Sequence, residues 1–227
     1  MAQAGLHGLV GMAVKKVVGK KEWLLLGVIL GSFIPDMDNV GVAVATLTKM
    51  PTEGIHRTLT HSVFFMAAVV ALVYAFGAMR KEPRWSNLGL GLGLGMLLHS
   101  LLDFVIWFDG VALFWPLGGE INFWPNGAPS QGLKDFLWWA AEFLAFGLYL
   151  WALGLWARNY AVNGDFLGKL RFWMWFEFAV FAIFTVILLT SGTSKMVETL
   201  SGALYLLSLF MTFFVTIRMR QTVEAAA

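Results

Sequence analysis

Five stretches of the chain, at about 60–79, 87–108, 136–157, 172–190 and 199–217, meet or approach the length and apolarity of a membrane-crossing helix. Such a helix needs roughly 20 mainly apolar residues. Backbone in lipid must satisfy its own polar groups, which leaves helices and closed barrels as the only options. Runs of this length select the helix. A shorter apolar run, 23–35, ends at Pro-Asp, and a weaker segment, 4–18, precedes it. The basic turn at 15–21 joins them, and together they read as a helical hairpin. The expected fold is all-α: a polytopic transmembrane bundle of five long spans with a short N-terminal hairpin. Composition agrees, with 13% charged residues and 59% hydrophobic ones, where a soluble domain carries about a quarter charged.

The basic residues orient this layout. With the turn holding Lys15, Lys16, Lys20 and Lys21 on the cytoplasmic side, Arg80, Lys81, Arg84, Arg158, Lys169, Arg171, Arg218 and Arg220 fall on that side too. Only Lys49, Arg57, Lys134 and Lys195 fall opposite, so twelve of the chain's 16 cations share one face. That bias is the positive-inside pattern of a multi-pass membrane protein and supports this orientation. The first residues carry no basic region ahead of their apolar stretch, so no cleavable signal peptide is expected. A net charge of +2 gives no reason to expect nucleic acid as a partner, and the absence of Cys removes thiolate chemistry. The lipid bilayer is the expected environment, with a place in a larger membrane complex left open. One bundle is expected, its part at 1–135 carrying a metal site and its part at 136–227 adding three helices. Two long connections, 35–59 and 109–135, lie opposite the basic loops, where function tends to sit.

All four histidines fall in the first 99 residues, each with a polar companion. Asp36 and Asp38 stand in Pro35-Asp36-Met37-Asp38-Asn39 where an apolar run ends, and His56 and His61 frame His56-Arg57-Thr58-Leu59-Thr60-His61-Ser62. His99 and Asp103, four apart, share one helix face and make a good bidentate platform. His56 and His61 would be about 140° apart on a continuous helix, so they converge only if a helix starts between them. Thr58 or Thr60 is the expected cap there. His7 returns to the same side through the hairpin. The candidate metal ligands are thus His7, Asp36, His56, His61, His99 and Asp103. Asp38 is the candidate base or bridging ligand, and Arg57 the candidate clamp for an anionic substrate. Imidazole with carboxylate suits zinc first, then manganese or iron.

Two other features have structural readings. The alternating glycines from Gly89 to Gly95 lie within an apolar helix and point to close helix packing, bringing His99 near a neighbouring backbone. Ser62 beside His61 is not a nucleophile pair, because adjacent helical residues point apart. Glu142 and Glu177, within later spans, read as interfacial or paired structural charges.

A His near the N-terminus, then P-D-x-D, H-R-x-x-T-H-S, H-x-x-x-D and W-P, in that order, resembles the YdjM-type family. These are bacterial inner-membrane proteins described as LexA-binding and as metal-dependent hydrolases. The elements here are His7, Pro35 to Asp38, His56 to Ser62, His99 to Asp103 and Trp115-Pro116. They cover about 5–116. The resemblance implies a membrane-embedded metal site and hydrolytic chemistry without naming a substrate. Asn39 departs from it, since relatives often carry His there, which implies fewer or weaker metal ions. The leading expectation is a metal-dependent hydrolase acting on a phosphoester or other lipid-like substrate at the non-cytoplasmic face. The rivals are a non-catalytic membrane-complex subunit whose histidines ligate haem or a chlorophyll-type pigment, and a cation or proton transporter.

Overall fold

The computed structural model describes residues 4–106 and 108–227. Trp107, inside the expected 87–108 span, lies outside the described residues. The chain divides into two compact units, one formed by Val10–Gly127 and the other by Ala128–Ala226 with the chain up to Leu9. The fold is helical, with six helical segments among the described residues long and apolar enough to cross a membrane.

The sixth segment comes from the expected hairpin. Helix α1 (Ala4–Ala13) is followed by the basic turn and by α2 (Leu24–Gly31). The chain does not enter a loop at Pro35. A 3-10 turn, Pro35–Asp38, leads straight into α3 (Asn39–Leu47), so the apolar segment runs from Leu24 to Leu47. Proline cannot continue the ladder of α2, yet its fixed φ suits the first position of a new turn. Helix α3 also carries Val40, Val42, Val44 and Leu47, enough apolar surface to leave water.

Helices α4 (Val63–Arg80) and α5 (Pro83–Ile106) complete the first unit's long elements. Ser62 caps α4, its hydroxyl accepting from the Phe64 amide at 3.2 Å. The cap therefore falls one residue after His61, not at Thr58 or Thr60. The glycines of α5 work as expected. A Cβ on Gly27 of α2 would stand 2.5 Å from the Leu88 carbonyl oxygen and 2.9 Å from the Gly91 Cα, and one on Gly95 would strike the Val28 carbonyl. The two helices thus touch backbone to backbone, the close approach small residues permit in membranes.

The second unit holds α6 (Gln131–Asn159), α7 (Leu167–Ser191), α8 (Lys195–Arg218) and the short α9 (Arg220–Ala226). Helix α6 contains one π-helical stretch, Leu137–Ala141. Ala140, Phe143, Val180, Phe184 and Val197 form its core, with the Phe143 and Phe184 rings stacked at 5.5 Å. Phe172 and Trp175 of α7 are exposed, as lipid-facing aromatics would be. Glu142 and Glu177 face the protein interior. Both are fully buried, and Glu142 accepts from the Gly5 amide at 2.8 Å.

Candidate metal centre

The tight packing of α2 on α5 sets the depth and aim of His99. Its Nδ1 lies 2.8 Å from the carbonyl oxygen of Ser32, just past the end of α2. That carbonyl accepts only, so Nδ1 carries a proton. Its Nε2 points at Asp36 Oδ1, 3.4 Å away, and at Asp103 Oδ2, 3.5 Å away. Asp103 is one turn along α5, the face-sharing expected from the spacing.

His61 arrives from another segment. The stretch before α4 is fixed by Arg57, whose backbone lies in the left-handed region at φ +61°. Its amide donates to Asp38 Oδ2 at 3.1 Å, and its carbonyl accepts from the Ala112 amide at 2.9 Å. A left-handed non-glycine residue is costly, and two bonds hold it in place. The Thr58 hydroxyl donates to the Gly54 carbonyl at 2.8 Å. A 3-10 turn, Leu59–His61, then brings the imidazole inward. Its Nε2 comes within 3.2 Å of His99 Nε2 and 3.4 Å of Asp103 Oδ2.

Asp38 stands behind His61. One carboxylate oxygen lies 2.7 Å from His56 Nδ1. The other accepts from Thr60 Oγ1 at 2.8 Å and lies 3.4 Å from His61 Nδ1. Carboxylates placed behind ligating imidazoles in this way fix the tautomer and ring orientation. Asn39 Nδ2 donates to the Asp36 carbonyl at 2.9 Å, tying the Pro35–Asp38 turn to the start of α3.

The electrostatics call for a cation. Asp36, His61 and Asp103 are wholly buried and His99 nearly so. Burial alone would lower the His61 pKa, but the Asp103 and Asp38 carboxylates outweigh it and raise the value above the ordinary histidine range. His56 behaves oppositely. Burial, only partly offset by Asp38, holds it below that range. Two imidazole nitrogens facing each other among carboxylates fit a divalent ion, and Asp36, His61 and His99 offer one donor atom each within 4.8 Å of one another. Asp38, His56 and His61 offer a second such group.

Arg57 is buried beside this cluster. Its Nε lies 3.9 Å from Asp103 Oδ2, and one terminal nitrogen lies 3.7 Å from Asp109 Oδ2. Ser62 is committed to structure, donating to the Trp115 carbonyl at 2.7 Å while capping α4. Of the sequence-predicted residues, Asp36, Asp38, His56, Arg57, His61, His99 and Asp103 come together. His7 is buried on α1, in the part of the chain that belongs to the other unit. The Ser32 carbonyl, Thr60 and Asp109 were missed. Thr60 was visible inside the His56–Ser62 motif but read as a helix cap. A backbone carbonyl such as that of Ser32 leaves no mark in sequence.

Membrane-length helices enclosing clustered histidines and aspartates define a multi-pass membrane protein with a candidate metal centre. The chain belongs to the YdjM inner membrane protein family, whose profile matches residues 1–190. That match passes well beyond Trp115-Pro116, where the recognisable motifs end, and takes in α6 and nearly all of α7. No curated protein and no solved structure matches the chain.

Proposed function

We propose that this protein is a membrane-embedded, metal-dependent hydrolase acting on a phosphoester or other lipid-like substrate. The observation that carries this reading is the pair of imidazole Nε2 atoms 3.2 Å apart, each with a carboxylate oxygen within 3.5 Å. His61, His99, Asp36 and Asp103 are the ligands, with zinc the first choice of metal and manganese or iron next. His56 stands in the adjoining group. His7, in the other unit, is left outside this ligand set. A divalent ion bound there would polarise a phosphoryl or carbonyl oxygen and lower the pKa of a water to about 7.

The rest is the work of the chain's own residues. The Ser32 carbonyl and Asp38 hold the proton on the far nitrogen of each imidazole, so that both Nε2 lone pairs face inward. Two of Asp38's contacts, the Arg57 amide and Thr60, are donors that an ionised carboxylate satisfies, which favours an orienting role over that of general base. Arg57 lends its guanidinium to an incoming phosphate or carboxylate, a charge-assisted contact suited to its planar fork. The bias of basic residues supports a site near the non-cytoplasmic face.

Metal content of the purified wild type, measured beside His99→Ala and Asp103→Asn, tests the site. The wild type should retain stoichiometric metal, and both variants should lose it. Equal metal in all three, or none in the wild type, overturns the assignment. Turnover of phosphatidic acid or phosphatidylglycerol vesicles that both variants lack supports the hydrolase. Metal retention without turnover of any such substrate removes the proposed reaction and leaves the site.

A further inference from the structure

The second unit carries a polar seam through the middle of its membrane-spanning helices, none of it among the family's motifs. Ser201, Tyr205, Ser208, Thr212 and Thr216 recur on α8 at intervals of three and four residues and are all buried at 0–1% exposure. They line one helix face over about 22 Å at 1.5 Å per residue. Glu177, near the middle of α7 and 1% exposed, faces this stripe at Ser208.

Hydrogen bonds tie the stripe to its neighbours at both ends. At one end the Ser201 hydroxyl donates to the Trp139 carbonyl at 3.1 Å, within the π-helical stretch of α6, and such bulges recur at functional sites. Tyr149 of α6 meets Thr216 at 2.6 Å. The next buried hydroxyl, Thr222, donates to Asn163 Oδ1 at 2.9 Å. Asn163 in turn lines a surface cavity of about 360 Å³ with Arg218 and Arg220.

Packing alone does not account for the centre of the seam. Thr212 Oγ1 is buried with no hydrogen-bond partner among the described residues, and Glu177 Oε2 and Ser208 Oγ, which lie against each other, find no other partner there. Buried polar atoms in that state call for water. Hydroxyls one turn apart are about 6 Å from each other along the axis, a gap one water bridges. A buried carboxyl beside a row of buried hydroxyls is the arrangement of an intramembrane proton relay.

We propose that α6, α7 and α8 form a proton-conducting seam in which Glu177 is the obligatory proton carrier. The side chain releases its proton to a neighbouring water and accepts one from the other side. The hydroxyls of α8 hold the intervening waters, and the exit lies at the Asn163–Arg220 cavity.

The full-length protein, reconstituted into liposomes with a trapped pH dye, tests this under a valinomycin-imposed potassium potential. Wild type should acidify or alkalinise the lumen according to the sign of the potential, and Glu177→Gln should cut the rate at least tenfold. Glu177→Asp, which keeps the acid, should restore part of it, and Thr212→Val should slow it. Dicyclohexylcarbodiimide, which captures protonated carboxyls in membranes, should block wild-type flux and leave its mass on the Glu177 peptide. Wild-type flux no greater than that of protein-free vesicles overturns the proposal. So does Glu177→Gln conducting at the wild-type rate, the result expected if the stripe only packs helices. None of these readouts depends on metal or hydrolysis.

Discussion

Replacing Gly95 with alanine should weaken metal binding without touching any ligand. A Cβ at this position would strike the Val28 carbonyl and stand 2.8 Å from the Ser32 amide nitrogen. Ordinary carbon–oxygen contact begins near 3.3 Å, so α2 and α5 must part by about 1 Å. His99 lies one turn further along α5, and its 2.8 Å bond to the Ser32 carbonyl would stretch past the useful limit of about 3.5 Å. Losing such an orienting partner lowers metal affinity by about 10–100-fold, or about 1.4–2.7 kcal/mol. Competition against a fluorescent zinc chelator in detergent measures this directly. Gly93→Ala is the control, since its Cβ would meet only the Val70 side chain, which can turn aside. Wild-type affinity in a folded Gly95→Ala protein would refute the coupling of helix contact to ligand orientation.

Other outcomes follow from the same geometry. Asp38→Ala should lower metal affinity by about 10–100-fold as well, because it releases His56 and His61 from their shared carboxylate; chelator competition reads it. Stripping the metal and restoring zinc at about 100 times its Kd should raise unfolding free energy by about 2.7 kcal/mol, seen as a higher Tm in detergent. Tyr149→Phe, which breaks the buried contact with Thr216, should cost about 0.6 kcal/mol, the average for such bonds between membrane helices. The chain has no Cys, so single cysteines report sidedness cleanly. Leu117→Cys should react with an impermeant maleimide on the periplasmic side of intact spheroplasts, and Lys20→Cys only after lysis; the reverse pattern would invert the orientation.

Much of this protein is determined by the sequence alone. Long apolar runs with few charges have one stable answer in lipid, the helix, so the type of the major elements and five of the six long spans follow from hydropathy and length. The His99–Asp103 pair follows from helical period, and the Gly89–Gly95 run announces a close helix neighbour. Tertiary structure decided the rest. Pro35 ended one helix and began another, because whether a proline stops or restarts a helix depends on the apolar surface that residues 39–47 can bury. The cap of α4 fell at Ser62 because the Trp115 carbonyl, 53 residues away, was there to receive its hydroxyl. Asp36 and Asp38, two residues apart, face different partners because a 3-10 turn rotates their carboxylates apart. The burial of Glu177 in a membrane span could not be read from hydropathy, which records that a charge interrupts a helix and not which way it faces.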